Sequence, residues 1–244
     1  MGEIGGKTRV FCVLGHPIGH SLSPAMQNAA LRAMGVDGVY VAFDVSPADL
    51  PDAVRGLRAL GVSGVNCTIP HKEALLGLAD EISEEAAFIG AANTLVFRDG
   101  RTVAHNTDAP GFLAALREAG VRPEGQRAVV LGAGGSARAV AVALGRCGAT
   151  LTIANRSRGR AEELAEGLDR KFGAGTARAS DLSPEALGAC LREAGLLVNT
   201  TSVGMSPKQD EMPPVPVGAL HPGLFVYDLI YNPLETRLLR AARE

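Results

Sequence analysis

The feature that most constrains the fold is a glycine-rich turn that begins past the midpoint of the 244-residue chain. An apolar, strand-like run enters Gly-Ala-Gly-Gly-Ser-Ala at 132–137, and a helix-like run follows directly. This layout is typical of dinucleotide-binding βα turns. We expect Gly132 to permit the tight turn, Gly134 to let backbone N–H groups approach a pyrophosphate, and Ala137 to let the helix pack on its strand. The pyrophosphate would lie at the positive N-terminus of the helix.

Composition and charge exclude several classes of protein. The 24 basic and 26 acidic residues leave a net charge of −2, without the basic excess of a dedicated nucleic-acid binder. No apolar run approaches the roughly 20 residues that a membrane helix needs, and residues 1–7 lack the apolar core of a signal peptide. The four cysteines are far apart and show no metal-ligand spacing. We therefore expect reduced thiols, no metal site and a cytoplasmic location.

The hydrophobic patterns predict alternating strands and helices. In the first half the predicted strands are 9–14, 39–44, 64–68 and the hairpin 94–97 with 102–105, and the helices are 24–34, 47–60 and 71–79. In the second half the strands are 128–131, 151–154, 196–199 and 224–229, and the helices are 110–119, 139–146, 157–168, 182–194 and 234–242. The alternation predicts a parallel, doubly wound sheet. The Pro-rich, polar segment 205–216 is expected to be a mobile loop.

The residues after the second strand of the glycine-turn domain favour one cofactor over another. An NAD enzyme usually places Asp or Glu about 20 residues after the turn, where it binds the ribose 2′-hydroxyl. Here the strand ends in Ala154-Asn155-Arg156-Ser157, with Arg160 nearby and no carboxylate. Arg156 and Arg160 could hold a 2′-phosphate by charge-assisted hydrogen bonds, which favours NADP. The alternative is that these arginines only begin a solvated helix.

Polar side chains cluster where strands of the first half are predicted to end: Ser21, Ser23, Thr68, Lys72, Asn93 and Asp108. The serines could donate to a carboxylate, and the others could meet hydroxyls or a carbonyl. Each also has a structural alternative, since Ser23 could cap its helix, Lys72 could be a solvated surface lysine, and Asp108 could cap the helix at Pro110. Together they suit a site for a small polyol. The polar segment 199–205 similarly suits cofactor ribose or nicotinamide, or an N-cap cluster.

On these motifs the chain resembles shikimate dehydrogenases, in order and over nearly its whole length. The first half carries Gly-His-Pro-Ile-Gly-His-Ser-Leu-Ser-Pro, Asn-Cys-Thr-Ile-Pro-His-Lys, Gly-Ala-Ala-Asn-Thr and Asn-Thr-Asp. The second half carries Gly-Ala-Gly-Gly-Ser-Ala, Asn-Arg-Ser, Asn-Thr-Thr-Ser-Val-Gly-Met and Asp-Leu-Ile-Tyr-Asn-Pro. The resemblance implies NADP-dependent interconversion of shikimate and 3-dehydroshikimate in aromatic amino-acid biosynthesis.

The resemblance also implies residue roles. Ser21 and Ser23 hold the substrate carboxylate, and Lys72 with Asp108 forms the catalytic acid–base pair. The remaining substrate contacts are Thr68, Asn93 and Tyr231. The cofactor contacts are Gly132, Ala133, Gly134, Gly135, Ser136, Ala137, Asn155, Arg156, Ser157, Arg160, Thr200, Thr201, Ser202 and Met205.

The implied architecture is α/β with two domains and an active-site cleft between them. Residues 1–109 form the substrate-binding catalytic domain, 110–235 form a Rossmann-like NADP-binding domain, and 236–244 begin a helix that returns to the first domain. The chain departs from the family pattern at Gln27, where histidine is common, and at its end. There a segment with a substrate-binding glutamine usually follows. Either the tail is truncated or the chain is a shortened relative, and we expect weaker substrate affinity in both cases.

Two alternative functions stay open at this point. One is a quinate/shikimate dehydrogenase with relaxed cofactor use, and the other is a non-catalytic, ligand-binding paralogue. For either, the expected partner is a small molecule rather than nucleic acid or membrane, and the chain is a monomer or a homodimer.

Overall fold

The computed structural model describes residues 4–244 and divides them into two compact units. Unit 1 ends at Thr107 and unit 2 runs from Asp108 to Glu244. Residues 1–3 lie outside the described residues. They belong to the predicted first domain and to the segment 1–7 that lacks the apolar core of a signal peptide. Within the described range, no helix has the length and apolar character needed to cross a bilayer.

Unit 1 is built on a six-stranded mixed sheet. Its elements are β1 (Arg9–Gly15), α1 (Ser23–Ala33), β2 (Gly38–Asp44), α2 (Leu50–Ala59), β3 (Gly64–Cys67), a 3₁₀ helix (Ala74–Leu78), β4 (Glu81–Ile82), α3 (Glu84–Ile89), β5 (Thr94–Arg98) and β6 (Arg101–His105). The strand order is β2-β1-β3-β5-β6-β4. Strands β1, β2 and β3 are parallel, and β5 is antiparallel to both β3 and β6.

This strand order brings several loops to one edge of the sheet. Because β5 runs against its neighbours, its amino end lies beside the carboxyl ends of β3 and β6. The loops after β1, β3 and β6 and the loop before β5 therefore share that edge, which we call the polar edge of unit 1. The predicted substrate contacts within unit 1 all lie in or next to these loops.

Unit 2 is a five-stranded parallel sheet flanked by helices. Its elements are α4 (Asp108–Glu118), β7 (Arg127–Leu131), α5 (Gly135–Arg146), β8 (Thr150–Asn155), α6 (Arg158–Phe172), β9 (Ala177–Asp181), α7 (Pro184–Leu191), β10 (Leu196–Asn199), a 3₁₀ helix (Val217–Ala219), β11 (Phe225–Asp228) and α8 (Arg237–Arg243). The order β11-β10-β7-β8-β9 reverses direction between β7 and β10. In open α/β sheets, ligands bind outside the carboxyl ends of the strands at this switch point.

Burial explains why these segments form this sheet. Strand β7 is buried from Ala128 to Leu131, which is the near-continuous apolar run expected of a strand covered on both faces. Helix α5 is also buried over most of its length and packs closely because it is rich in alanine and glycine. At Gly145 an added Cβ would lie 2.6 Å from the ring of Phe172, so α6 approaches α5 at this glycine.

Three predicted helices begin later than expected, because a turn or a capping side chain precedes each of them. The helix expected from Pro47 begins at Leu50, after a turn in which Ser46 donates to Asp49. The helix expected over 182–194 is α7, and the Ser183 hydroxyl caps it by accepting from the amide of Ala186. The helix expected from Leu234 is α8, which begins at Arg237. The hydroxyl of Thr236 caps it.

Other segments depart further from the predictions. The helix predicted over 71–79 is only the 3₁₀ turn Ala74–Leu78, because the chain after Pro70 turns to bury His71. Helices α4 and α5 start before their predicted bounds, and α6 extends to Phe172. The sequence patterns do not predict the short elements β4, α3 and β9. The segment 205–216, expected to be a mobile loop, contains no helix or strand; residues 207–211 are exposed, whereas Val215 is 3% exposed and belongs to the core.

Candidate active site

The loops after β1 and β3 are joined at their bases on the polar edge. The amide of His16 donates to the carbonyl of Ile69 at 3.0 Å. A Cβ added at Gly15 would lie 2.7 Å from side-chain atoms of both Ile18 and Thr68. Glycine is therefore required where β1 ends, and the two loops that carry the predicted serines and Lys72 are fixed relative to each other.

The two predicted carboxylate-binding serines lie at the N-terminus of α1. The helix begins at Ser23, its N-cap is Leu22, and no side chain caps it. Ser23 is therefore not the N-cap, contrary to the structural alternative. Instead the Ser21 hydroxyl accepts from the Ser23 amide at 3.2 Å. Within residues 4–244 the Ser23 hydroxyl has no hydrogen-bond partner, which leaves it available for a ligand.

Asn93 and Thr107 connect the loop before β5 to the loop after β6. The Asn93 side-chain amide donates to the Thr107 hydroxyl, and the Thr107 backbone amide donates back to Asn93 Oδ1, both at 2.9 Å. The side chain of Asn93 therefore orders the residues that lead into Asp108. Asp108 is the first residue of α4, so it lies within that helix rather than capping a helix at Pro110.

Lys72 is half-buried, and its main chain is anchored. Its carbonyl accepts from the Ala92 amide at 2.8 Å, which joins the loop after β3 to the loop before β5. The neighbouring His71 is 1% exposed and donates from Nε2 to the Val45 carbonyl at 2.8 Å. Burial lowers the pKa of His71, the Val45 carbonyl partly opposes this, and His16 adds to the lowering. Sequence reasoning missed His71 as the residue that fixes the turn carrying Lys72.

The glycine turn has the geometry that a close backbone approach requires. Gly132 has φ +109°, and its amide donates to the carbonyl of Ala154 at 2.8 Å. Gly134 is the N-cap of α5, and a Cβ added there would meet nothing within 4 Å. Ala137 is 1% exposed and packed. The open space beside Gly134 at a helix N-terminus fits the pyrophosphate of a dinucleotide.

The end of β8 presents cationic rather than acidic groups. Arg156 is exposed and, over the described range, has no hydrogen bond or ion pair. Arg158 is engaged with Glu162 and with Asp181, the carboxylate that ends β9. Asn155 donates to the carbonyl of Ser157 at 2.8 Å, which shapes the start of α6. The exposed guanidinium of Arg156 fits a 2′-phosphate on the cofactor. Strand β8 does not end in the Asp or Glu that would bind a ribose 2′-hydroxyl.

The loop after β10 lies against the glycine turn. Thr200 donates from its hydroxyl to the carbonyl of Leu131 at 2.6 Å, and a Cβ added at Gly132 would lie 2.6 Å from that hydroxyl. The Thr201 hydroxyl donates to Asn199 Oδ1 at 2.7 Å. Both threonine hydroxyls therefore hold the loop in place. Ser202, by contrast, is exposed.

Asp228, at the end of β11, is a second residue that sequence reasoning missed. Its carboxylate accepts from Asn199 Nδ2 at 3.0 Å, from the Ile230 amide at 3.0 Å and from the Thr236 hydroxyl at 2.8 Å. Burial raises the pKa of Asp228, and the three hydrogen bonds oppose that rise. The available signal was the position of Asp228 at a strand end, three residues before Tyr231, whose side chain is exposed.

A parallel sheet in this order, with a glycine turn at its switch point, defines a Rossmann-type dinucleotide-binding protein. The arginine after β8 has no partner among residues 4–244. Unit 1 presents a polar edge suited to a small hydroxylated ligand.

The comparisons with known proteins identify the family. Residues 13–95 match the shikimate dehydrogenase substrate binding domain, and residues 114–205 match the shikimate / quinate 5-dehydrogenase family. The chain belongs to the shikimate dehydrogenase family. It is 52% identical over 240 residues to the NADP(+) shikimate dehydrogenase of Symbiobacterium thermophilum, covering 98% of this chain and 82% of that one.

Solved structures of the family have the same fold. A shikimate dehydrogenase crystallised with NADP+ is 40% identical and superposes with a TM-score of 0.90, covering 99% of this chain and 83% of that one. The Thermus thermophilus enzyme, crystallised with NADP(H) and shikimate, is 43% identical with a TM-score of 0.84, covering 96% of this chain and 84% of that one.

Proposed function

We propose that the chain catalyses the reversible NADP-dependent oxidation of shikimate to 3-dehydroshikimate. The observation that carries this proposal is a combination of two features. Unit 2 has a glycine turn and an Arg156 without a partner in the described range, and unit 1 has a polar edge. The shikimate dehydrogenases that the chain resembles use this substrate and this cofactor.

The carboxylate of the substrate is assigned to the N-terminus of α1. The hydroxyl of Ser23 has no protein partner within residues 4–244, and that of Ser21 retains its proton for donation while its oxygen accepts from the backbone. The helix dipole adds a positive partial charge at the same place. Two hydroxyl donors at a helix N-terminus suit a carboxylate better than a neutral group, because charge-assisted hydrogen bonds are the stronger ones.

Proton transfer is assigned to Lys72, with Asp108 as its partner. Oxidation of a secondary alcohol removes a proton from the hydroxyl oxygen while a hydride leaves the carbon. When bound, NADP+ supplies the hydride acceptor. Lys72 Nζ takes the hydroxyl proton in this direction and returns it in the reverse direction. The carboxylate of Asp108 orients the ammonium group or shares its proton. Thr68, Asn93 and Tyr231 are assigned to the other substrate contacts.

The 2′-phosphate of the cofactor is assigned to Arg156, which precedes α6, and to Arg160, in the first turn of α6. Arg158 is less suited, because Glu162 and Asp181 already neutralise it. The pyrophosphate is assigned to 132–137, and the nicotinamide half to the loop 200–205.

The experiment is an initial-rate assay of NADPH formation at 340 nm with shikimate, with parallel assays that replace shikimate by quinate and NADP+ by NAD+. We expect shikimate with NADP+ to give the highest kcat/KM. Lys72→Met should lower kcat by orders of magnitude while the Kd for NADPH stays near the wild-type value. Lys171→Met, in the last turn of α6, is the matched control and should keep wild-type kcat.

Each alternative function has its own outcome in this assay. Equal kcat/KM with NAD+ or with quinate would favour the relaxed dehydrogenase. Binding of NADPH without turnover of either substrate would favour the non-catalytic paralogue. Wild-type kcat in Lys72→Met would remove Lys72 from the mechanism.

The cellular setting is part of the proposal. All four cysteines are free in the described chain, which is consistent with a reducing, cytoplasmic location. We propose a monomer or a homodimer, which light scattering coupled to size exclusion would distinguish.

A further inference from the structure

We propose that Asp228 is a positioning residue for the dehydrogenase reaction. It joins the loop after β10 to the loop after β11, so that the nicotinamide side of the site keeps its shape. This inference rests on the proposed function. The hydrogen-bonded group Asn199, Thr201, Asp228, Ile230 and Thr236 is called the Asp228 network below.

The two carboxylate oxygens of Asp228 receive donors from two different segments. Oδ1 accepts from Asn199 Nδ2 and from the Ile230 amide, both at 3.0 Å, and Oδ2 accepts from the Thr236 hydroxyl at 2.8 Å. The Thr236 hydroxyl also accepts from the Leu239 amide, which caps α8. One side chain therefore connects the end of β10, the loop 229–236 and the start of α8.

The amide of Asn199 can point in only one direction. Its Oδ1 accepts from the Thr201 amide at 3.1 Å and from the Thr201 hydroxyl at 2.7 Å, so its Nδ2 must face Asp228. The Thr201 hydroxyl in turn accepts from the Val203 amide at 3.2 Å. Asn199 is fully buried. The conformation of 199–203 is thus determined by the presence of an acceptor at residue 228.

The same loop is in contact with the glycine turn. Thr200 lies between Asn199 and Thr201 and donates to Leu131 from both its amide and its hydroxyl. A Cβ added at Gly132 would lie 2.6 Å from the Thr200 hydroxyl, so the loop and the glycine turn are in close contact. The Asp228 network therefore acts on the switch-point side of the sheet, while the end of β8, which carries the cationic groups, lies on the other side of β7.

The charge on Asp228 is the reason to assign a positioning role. In residues 4–244 its carboxylate has neutral donors only and no ion pair with Lys or Arg. A half-buried carboxylate without a cation is costly for stability. An amide would fill the same volume with less desolvation cost, but it offers only one acceptor oxygen for three donors. The carboxylate is needed because all three donors must be accepted together.

The central test compares stability with activity in Asp228→Asn. In this variant Oδ1 can still accept from Asn199 and Ile230, but the new NH₂ group is a donor, so the Thr236 hydroxyl loses its acceptor and the link to the start of α8 is broken. The smaller desolvation cost of a neutral amide offsets this loss in stability. We expect a melting temperature close to that of the wild type and a fall in kcat of about 10- to 100-fold, because a small misplacement of reacting groups has effects of that size. A purely structural role predicts unchanged kcat at unchanged stability.

A binding measurement locates the effect without requiring turnover. We expect Asp228→Asn to weaken NADPH binding measured by calorimetry, while 2′,5′-ADP, which lacks the nicotinamide, binds as to the wild type. The proposal is overturned if the variant loses affinity equally for NADPH and 2′,5′-ADP. It is also overturned if the variant keeps wild-type affinity for both ligands and wild-type kcat. If the wild type does not oxidise shikimate, the proposed function fails, and the ratio of these two affinities still decides the role of Asp228.

The matched control is Asp169→Asn. Asp169, in α6, is another carboxylate that accepts backbone amides, those of Gly175 at 3.2 Å and Ala177 at 2.9 Å. These amides lie at the amino end of β9, whereas the ligand site is assigned to the carboxyl ends of the strands. We expect it to lower the melting temperature and to leave kcat unchanged. Should Asp228→Asn not fold, Thr236→Val and its conservative partner Thr236→Ser provide the test. The serine variant should restore the kcat that the valine variant loses, and equal kcat in the two would overturn the proposal.

Discussion

The replacement of Gly132 by alanine tests the switch-point geometry most sharply. Gly132 has φ +109°, which an L-residue adopts at a cost of about 1–3 kcal/mol. The new Cβ would lie 2.6 Å from the hydroxyl of Thr200. That hydroxyl donates to Leu131, and displacing it forfeits about 0.5–1.5 kcal/mol. We therefore expect Gly132→Ala to destabilise the protein by about 2–4 kcal/mol.

A second glycine of the same turn provides the control. Gly134 has φ −92°, and a Cβ there would meet nothing within 4 Å. Because glycine is preferred over alanine at an N-cap, this replacement costs about 0.5–1.5 kcal/mol, which is less than the cost expected at Gly132. The added methyl group would instead fill the space assigned to the pyrophosphate. We expect Gly134→Ala to lower the melting temperature by less than Gly132→Ala does and to bind NADPH more weakly.

The assay is thermal unfolding without cofactor, together with calorimetric titration of NADPH. A loss of about 2–4 kcal/mol corresponds to a fall in Tm of about 5–15 °C for a chain of this size. The reasoning is refuted if Gly132→Ala melts with the wild type, or if Gly134→Ala binds NADPH with wild-type affinity.

Three further predictions follow from the same structure. Arg156→Ala should raise the Kd for NADP+ about 10- to 100-fold, as expected for a lost hydrogen bond to a charged group, while the Kd for NAD+ stays the same; equal changes for both would contradict the 2′-phosphate assignment. The pKa of His71 is lowered in the folded state. As the pH falls below about 6.5, the unfolded chain therefore binds a proton at His71 before the folded chain does, which favours unfolding. Wild-type stability should therefore fall from pH 7 to pH 5 by more than that of His71→Gln, and parallel melting curves would count against this. A thiol reagent should react with Cys147 and Cys190 in the native protein and with all four cysteines only after unfolding, since the other two are buried; rapid reaction of four would contradict the burial.

Much of unit 2 could be predicted because its three central strands, β7, β8 and β10, are buried on both faces. The run before Gly132 is apolar throughout, and the alternation with amphipathic helices indicates a parallel sheet. Strand β9 was missed because Ala177–Asp181 is a polar edge strand without an apolar run. Helix α3 was missed because it has only six residues, although Ser83 caps it and Gly90 ends it in the left-handed region.

The candidate site was predictable residue by residue but not in its connections. Ser21, Lys72 and Arg156 stand in motifs that can be recognised along the chain. The role of Asp228 depends on β10 and β11 being neighbours, which only the strand order reveals. Likewise only the structure reveals that the hydroxyls of Thr200 and Thr201, which are predicted cofactor contacts, donate to Leu131 and Asn199.

The most direct test of the proposed function is the reaction in the reductive direction. Purified protein is mixed with NADPH and 3-dehydroshikimate, and the loss of absorbance at 340 nm is followed together with the formation of shikimate. We predict that one shikimate forms for each NADPH consumed and that Lys72→Met shows no measurable rate under the same conditions. NADPH that binds but is not consumed, or consumption that continues unchanged in Lys72→Met, would contradict the proposed reaction or its assigned acid.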